Sequence, residues 1–523
     1  MAGKNYGWMA LFVISLSCFI IALDSTFMNV AMLYLVKDLH TTLGSVQTII
    51  AIYSLVMGSF FLLGAKLQDV IGRKRTFLSG ALVYGIGALI AAASLNSDML
   101  LLGWSVIEGL GAALMLPATA SIVTSTYSGS KRTFAIGFVA TISTISVAVG
   151  PLLGGFLTTF YSWRWGFALE AVIVLIMLLL SYALVESKPT LKWSDINIKG
   201  AVLSAAGILI VILGVLQLNN PAAWVNYSGT LINQAGFTLV MAVILAGILL
   251  LLIFFFYQRK LIKQGKTPFM NVDILKNSTF TLGVICTLLV ALIQAGIFYL
   301  IPLYVQIRYG ANAFSTGLLL LSAALGALIF SLSVSKLVKY VKPLYLVFIG
   351  FMVSIAGTLM LYLLFLNSVD LNMYDLLPGL FVLGAGLGIS GPNLRNIVLS
   401  SLKEIEYADG SGIISTFGSV GSAIGTVLIG LTYFIAVYFA MMSSLPVEYP
   451  QYQSHQNLDQ DIYSWVDKVL HPDISSLKDD PILNIITIDS SAKGMQMALL
   501  FSAILLFVGF LLSIFIKPPP QLS

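Results

Sequence analysis

Four ionisable side chains stand out because each lies inside a long apolar segment of the sequence. They are Asp24, Glu108, Glu170 and Arg395. A charge at the centre of a bilayer costs about 2.5–3.5 kcal/mol on insertion scales, so a charged residue in an apolar span is a functional candidate by default. A carboxyl in such surroundings can take up and release a proton. A long arginine side chain can instead snorkel to the lipid headgroups.

Asp24 belongs to the segment LDSTFMNVA, residues 23–31, in which Thr26 and Asn29 are polar neighbours. Helical spacing places the acid on one face of its span. We expect Asp24 to bind a proton from outside and release it when an internal cation arrives. The alternative is a structural aspartate that hydrogen-bonds across helices.

Glu108 belongs to LGWSVIEGLGAA, residues 102–113, whose glycines and alanines allow close helix packing. Two roles are open for Glu108. It can be a functional acid, or it can be a protonated, neutral side chain that donates a hydrogen bond where the helices pack. Glu170 follows Arg164 by six residues and can pair with it, so we expect a structural role for Glu170. Arg395 follows Pro392 in its span, and both snorkelling and a role as a gate cation are open for it.

The elements that position these residues are membrane helices. The chain has 523 residues, of which 58% are hydrophobic and only 9% are charged, whereas a soluble protein has roughly a quarter charged residues. Fourteen apolar segments are long enough to cross a bilayer, which predicts an all-α polytopic membrane protein. The net charge of +5 reflects this topology, and we do not interpret it as a nucleic-acid signal. The two cysteines lie in apolar spans and predict no disulfide or metal site.

The basic residues predict the orientation. With the N-terminus inside, most lysines and arginines fall on the cytoplasmic side, as the positive-inside rule requires. Both termini are then cytoplasmic, and the first apolar segment is too long for a signal peptide. The external exceptions are Lys37, Arg164, Arg308, Lys468, Lys478 and Lys493.

A shift of 270 residues aligns the two halves of the chain without gaps and places neutral Gln294 opposite Asp24. We therefore predict a six-helix bundle in residues 1–190, two inserted helices and a linker in 191–265, and a second six-helix bundle in 266–523. Residues 443–490 form a long acidic external loop, which is either a solvated excursion or a cap over the outer mouth.

Four ordered motifs resemble those of one transporter family. The segment GAKLQDVIGRKR, residues 64–75, resembles the loop between helices two and three of the major facilitator superfamily. GPLLGG at 150–155 resembles the antiporter motif of its exporting members, and LDSTFMNVA resembles the first-helix motif of its fourteen-helix drug:proton antiporter-2 branch. LGWSVIEGLGAA resembles the fourth-helix motif. The resemblance implies a conformational-switch loop and an antiporter motif, made by Gly64, Asp69, Gly72, Arg73, Lys74 and Arg75 and by Gly150, Pro151, Gly154 and Gly155, respectively.

The fourth-helix motif departs from the family pattern. Ser105 stands where the family has an arginine, and Glu108 stands where it has a glutamine. That arginine is often linked to proton handling, so its loss puts the usual coupling route in doubt. Because helices one and four line the cavity in this fold, we expect Asp24 and Glu108 to share protons as a coupled pair.

The resemblance implies a transporter rather than an enzyme. We expect a monomer in the cytoplasmic membrane that exports amphipathic, cationic small molecules in exchange for protons by alternating access, without a cofactor, a metal or nucleic acid. One alternative is a dedicated exporter of a single metabolite such as a siderophore, peptide or amino acid. Another is a non-transporting sensor or lipid-handling scaffold. Besides the two acids, the predicted substrate contacts are Tyr53, Met57, Met115, Phe298 and Tyr299.

Overall fold

We describe the fold from a computed structural model. It describes residues 6–186, 189, 192–193, 197–218, 234–338, 340–366, 371–403, 406–448 and 481–517. Most of the predicted external loop, residues 449–480, therefore lies outside the described residues. Fourteen helices in the described ranges are long and apolar enough to cross a membrane, as predicted. They are α1 Tyr6–Asp38, α2 Leu43–Ile71, α3 Arg73–Ala92, α4 Ser97–Thr126, α5 Gly129–Phe160, α6 Arg164–Leu179, α7 Ile198–Gln217, α8 Gln234–Lys263, α9 Ser278–Tyr309, α10 Ala313–Leu337, α11 Pro343–Leu366, α12 Leu376–Ser400, α13 Tyr407–Glu448 and α14 Pro481–Ile514.

Local sequence signals mark where several of these helices begin. The Thr42 side chain accepts a hydrogen bond from the Ser45 N–H at 3.0 Å, and this caps α2. Asn277 caps α9 in the same way, through the N–H of Thr279 at 3.1 Å. Gly72 alone separates α2 from α3, at a φ of 97° that side chains other than glycine rarely adopt. The glycine of the switch loop is therefore what permits the reversal.

Two pairs of helix starts follow the 270-residue shift. Helix α10 begins at Ala313 and α11 at Pro343, which are 270 residues after the starts of α2 at Leu43 and α3 at Arg73. Helices α7 and α8, which the sequence predicts as an insertion, pack closely on each other. The proposed divisions near residues 190 and 265 fall between helices and stay predictions.

Helices α7 and α8 adjoin the seam between α2 and α13. Ile212, Val215 and Leu216 of α7 form one apolar cluster with residues of α2 and α13. At the far end of α8, the Gln258 amide oxygen accepts the Phe269 N–H at 2.8 Å, which ties this helix to the segment before α9. Helices α7 and α8 are thereby attached to α2, to α13 and to the segment before α9.

The two halves meet tightly at the end of the molecule predicted to face outward. Gly155 of α5 lies against the carbonyl of Ala313, and Gly317 of α10 lies against the carbonyl of Pro151. The Phe314 N–H donates to the Thr159 hydroxyl at 3.0 Å. Glycine is needed here because a side chain would separate the two backbones. We call this α5–α10 crossing the outer contact.

A polar seam joins α2 and α13 along their length. The Gln47 amide donates to the Thr426 carbonyl at 2.7 Å near the predicted outer side. Near the other end, the Lys66 ammonium lies 3.0 Å from the Asp409 carboxylate, whose second oxygen accepts the Asn271 N–H at 3.1 Å. Asp409 therefore links the switch-loop motif to the second half of the chain.

The outer contact generates a prediction. Gly155→Val should hold α5 and α10 apart, because the new side chain has no space beside the Ala313 carbonyl. In protein that carries T159C and lacks Cys18 and Cys286, labelling by a hydrophilic maleimide should become several-fold faster. The control is Gly137→Val on the same helix, where no atom lies within 4 Å of the added carbon. Equal labelling of the two variants would contradict the assignment of this contact.

Candidate functional site

Three buried carboxyl groups meet in the first half of the chain. Asp24 comes from α1, Glu108 from α4 and Glu170 from α6, and each is at most 1% exposed. One oxygen of each group lies within 4.8 Å of an oxygen of the others. The structure therefore brings together the predicted pair and adds Glu170 to it. We call these three side chains the carboxyl cluster.

An irregular stretch of α4 presents one member of this cluster. Residues Leu101–Glu108 wind as a π-helix, whereas Gly109–Thr126 continue as an α-helix. A π-helical turn changes the direction of the side chains that follow it and is common at functional sites. Glycine permits this segment to lie close to α3, because Gly87 lies against the Glu108 backbone and Gly111 against that of Tyr84.

Two aromatic side chains donate hydrogen bonds to the carboxyl cluster. The Trp104 indole N–H lies 2.9 Å from Oδ2 of Asp24, and the Tyr84 hydroxyl lies 3.4 Å from Oε2 of Glu170. The other four oxygens have no hydrogen-bond partner among the described residues: Oδ1 of Asp24, Oε1 of Glu170 and both oxygens of Glu108. Buried polar atoms without partners are uncommon, so these positions are ones that a bound proton would satisfy.

No lysine or arginine in the described ranges pairs with the carboxyl cluster. Arg164 does not reach Glu170, because its guanidinium lies 3.4 Å from the Asp38 carboxylate and 2.9 Å from the Ser94 carbonyl. At the position of the family arginine, the Ser105 hydroxyl donates instead to the Ile49 carbonyl at 2.7 Å.

The cluster consequently needs an external source of positive charge. Two ionised carboxylates whose oxygens lie within 4.8 Å of each other repel by about 3 kcal/mol or more at an effective dielectric constant near 20. Protons remove this repulsion, and three oxygens at this spacing are also a ligand set for a metal ion. The geometry thus suits a site that gains and loses cations.

A central cavity of about 800 Å³ lies between the two halves, on the switch-loop side of the outer contact. Residues of α1, α2, α5, α9, α12 and α13 line it. Three of the predicted substrate contacts, Tyr53, Met57 and Phe298, are in this lining. Four others lie outside the lining as buried residues: Asp24, Glu108, Met115 and Tyr299.

Tyr53 and Trp104 separate the cavity from the carboxyl cluster. Their rings are stacked at a centroid distance of 5.5 Å, and the Tyr53 ring reaches the cavity. The Trp104 ring contacts the cluster through its bond to Asp24. The Tyr53 hydroxyl also lies beside Asp24. A ligand in the cavity would therefore contact Tyr53 and would affect the carboxyl cluster indirectly, through the stacked rings of Tyr53 and Trp104.

Comparison with known proteins decides the family. The family model described as the Major Facilitator Superfamily matches residues 14–426. The chain belongs to the major facilitator superfamily. It is 25% identical to the puromycin resistance protein pur8 of Streptomyces alboniger over 81% of each chain. It is also 25% identical to the multidrug efflux pump LfrA of Mycolicibacterium smegmatis, over 82% of this chain and 81% of that protein.

Solved structures agree with the major facilitator fold. A bacterial homologue of the human lysosomal transporter Spinster, in an inward-facing and unoccupied conformation, matches with a TM-score of 0.56. The match covers 99% of this chain and 100% of that one at 15% identity. The peptide transporter POT in complex with sulfate matches with a TM-score of 0.59 and 15% identity, over 91% and 95% of the two chains. The protein is thus a multi-pass membrane transporter and not an enzyme.

The family motifs occupy contact positions in this major facilitator protein. Gly64 lies against the Ala113 carbonyl, which packs α2 on α4. Gly150 and Gly154 lie against Thr26 and Phe27, so the antiporter motif holds α5 on the part of α1 that follows Asp24. Pro151 carries the carbonyl that meets Gly317. In the switch loop, Arg73 donates to the Ser121 carbonyl at 3.3 Å, and Arg75 lies 3.8 Å from Glu186.

Sequence reasoning missed two residues of the site and left the role of a third open. Trp104 lies inside the fourth-helix motif. A buried indole N–H needs a hydrogen-bond acceptor, and this requirement could have indicated a bond to a nearby acid. Tyr84 carried no comparable signal. Arg395 lines the cavity near Ser411, and its guanidinium is 3.4 Å from that hydroxyl. Snorkelling and a gate role both stay predictions for Arg395.

The contrast between Trp104 and Glu108 gives a stability prediction. Trp104→Phe removes the donor to Asp24, and leaving a buried acceptor unsatisfied costs about 1–3 kcal/mol. Glu108→Met replaces an acid whose two oxygens lack hydrogen-bond partners among the described residues by an apolar side chain of similar length, which removes the cost of burying an unsatisfied polar group. The apparent melting temperature of the detergent-purified protein should fall for the first variant and stay equal or rise for the second. A loss of folded protein on Glu108→Met would contradict the view that Glu108 lacks partners.

Proposed function

We propose that the protein exports amphipathic small molecules across the cytoplasmic membrane in exchange for protons. The observation that carries the proposal is the carboxyl cluster, which has no basic partner among the described residues and lies one aromatic layer behind the central cavity. The names of the relatives, which include puromycin resistance and multidrug efflux, favour export over uptake.

The exchange follows from the position of the two sites. In the outward-open state the cluster binds protons, which neutralise it and allow the halves to close. In the inward-open state substrate enters the cavity and presses on Tyr53, whose ring is stacked on Trp104. Movement of these two rings admits water to the cluster, water stabilises the ionised carboxylate, and a proton leaves the cluster. The described conformation, closed at the outer contact, corresponds to the inward-facing stage of this cycle.

The predicted preference for cations does not carry into this proposal. It required a carboxylate that contacts substrate, and the described lining of the cavity contains none. The apolar and aromatic character of the lining remains, and it suits amphipathic compounds in general. The monomeric state, the cytoplasmic termini and the membrane in which the protein resides stay part of the proposal.

Everted membrane vesicles test the proposal. Respiration acidifies their lumen, and a lumenal pH dye reports proton release when a substrate is added outside. A panel of amphipathic cations, neutral compounds and anions is supplied in sodium-free buffer. We expect at least one compound to release protons, and Asp24→Asn or Glu108→Gln to lower the signal, because each removes one exchangeable proton from the cluster.

The control for this experiment is Asp98→Asn, which alters an exposed acid at the start of α4 and should leave the signal intact. A full signal in the Asp24 and Glu108 double variant would overturn proton coupling. A signal that appears only after sodium or a divalent cation is added would assign the cluster to a metal ion instead.

Glu170 supplies a second, quantitative prediction. If all three carboxyls exchange, the cluster carries more than one proton per cycle, because mutual repulsion disfavours two adjacent ionised groups. Glu170→Gln keeps a hydrogen-bond acceptor for Tyr84 but removes one acid. We expect proton release per substrate, measured in liposomes of known internal buffer capacity, to fall without loss of folded protein. An unchanged ratio would assign Glu170 the structural role predicted from the sequence.

A further inference from the structure

The charge of the cavity wall differs from that of the carboxyl cluster behind it. Among the described residues that line the cavity, Arg395 is the charged one, and the others are polar or apolar. The guanidinium projects from the last third of α12, and the residue is exposed to the cavity. A ligand that enters the cavity therefore meets a positive charge directly and meets the acids only through Tyr53 and Trp104.

The guanidinium of Arg395 has few partners in the described part of the chain. Among the described residues its one hydrogen bond is a long one, to the Ser411 hydroxyl at 3.4 Å, and none of their carboxylates lies within ion-pair range of it. Other basic residues at the ends of the helices do have such partners, as Lys66 and Arg164 do. A guanidinium offers five N–H donors, so most of those on Arg395 are available to a ligand.

The surroundings of Arg395 are suited to one end of an amphipathic molecule. Asn396, Ser415 and Gln294 also line the cavity and can hydrogen-bond to anionic oxygens. Phe298 and Met57 lie on other helices of the same cavity and offer apolar contacts. A planar guanidinium recognises carboxylate and phosphate in bidentate geometry, which an ammonium does not.

We propose that the cavity binds amphipathic organic anions, with the carboxylate or a similar anionic group held by Arg395. This assignment of the substrate class rests on the proposed export function for its transport role, but the binding step requires neither protons nor a gradient. A positively charged compound of the same shape is disfavoured, because it would meet the Arg395 charge without a carboxylate in the lining to offset it.

A matched set of fluorescent probes tests the assignment on the purified protein. Dansylglycine carries a carboxylate, and dansylglycinamide is its neutral analogue of nearly the same size. Dansyl fluorescence rises in apolar surroundings, so binding is titrated directly in uncharged detergent free of anionic lipid. Specific binding is the part displaced by an excess of non-fluorescent naphthalenesulphonylglycine.

We expect the wild-type protein to bind dansylglycine about 10- to 100-fold more tightly than the amide, the range for a hydrogen bond to a charged group. Arg395→Gln should remove this preference and leave the affinity for the amide unchanged, which also shows that the cavity is intact. Arg395→Lys should keep part of it. The matched control is Arg308→Gln, which removes a cation outside the cavity lining and should keep all of it.

Three results would overturn the assignment. They are equal affinity of the wild-type protein for the two probes, a preference that survives Arg395→Gln, and displacement of dansylglycine by equimolar phosphatidylglycerol. The last would identify a lipid headgroup as the occupant. The binding assay uses no gradient, so a loss of preference in Arg395→Gln would support the assignment even if the vesicle experiment found no proton release. Failure of the anion-binding assignment can therefore be distinguished from failure of the proton-coupled export proposal.

Discussion

The structure depends on negative charge that is buried without a fixed positive partner. Asp24, Glu108 and Glu170 are almost completely removed from solvent, and the described residues supply them with two aromatic donors and no cation. Pairing by a lysine or arginine would neutralise them permanently. Here neutrality has to come from a bound proton or ion, so the charge of the site changes with its occupancy. That property is what a coupled transporter needs and what a rigid scaffold does not.

Close helix packing makes this arrangement possible. Carboxyls from three helices can approach within 4.8 Å only if the backbones that carry them also lie close. Small residues provide the space: Gly87 and Gly111 bring α3 against α4, and Gly154 brings α5 against α1. The same device joins the halves at Gly155 and Gly317, where a side chain would block closure. Glycine contacts therefore determine both where the charge is held and how the two halves meet.

The sequence predicted the fourteen helices because span length and charge asymmetry are local properties, and the boundary at Gly72 followed from its turn. It did not predict that Glu170 joins Asp24 and Glu108. That meeting depends on the rotation of α6 and on the π-helical register of Leu101–Glu108, and neither leaves a periodic signal. Arg164 lies close enough to Glu170 in the sequence to predict an ion pair between them, but in the fold the Arg164 guanidinium pairs with Asp38. Likewise, whether Arg395 faces lipid or cavity is set by packing of α12 and not by its own segment.

The separation of charges has an energetic consequence for the proposed cycle. Protons would move inward to the carboxyl cluster, while an anion held at Arg395 would move outward. Both movements carry positive charge in the same electrical direction, towards the negative interior. Each elementary charge moved through 100 mV is worth about 2.3 kcal/mol, so the membrane potential would drive export of an anion in addition to the proton gradient. A cationic substrate would move against that potential. The cation at Arg395 and the acids behind Tyr53 and Trp104 thus favour the same direction of net transport.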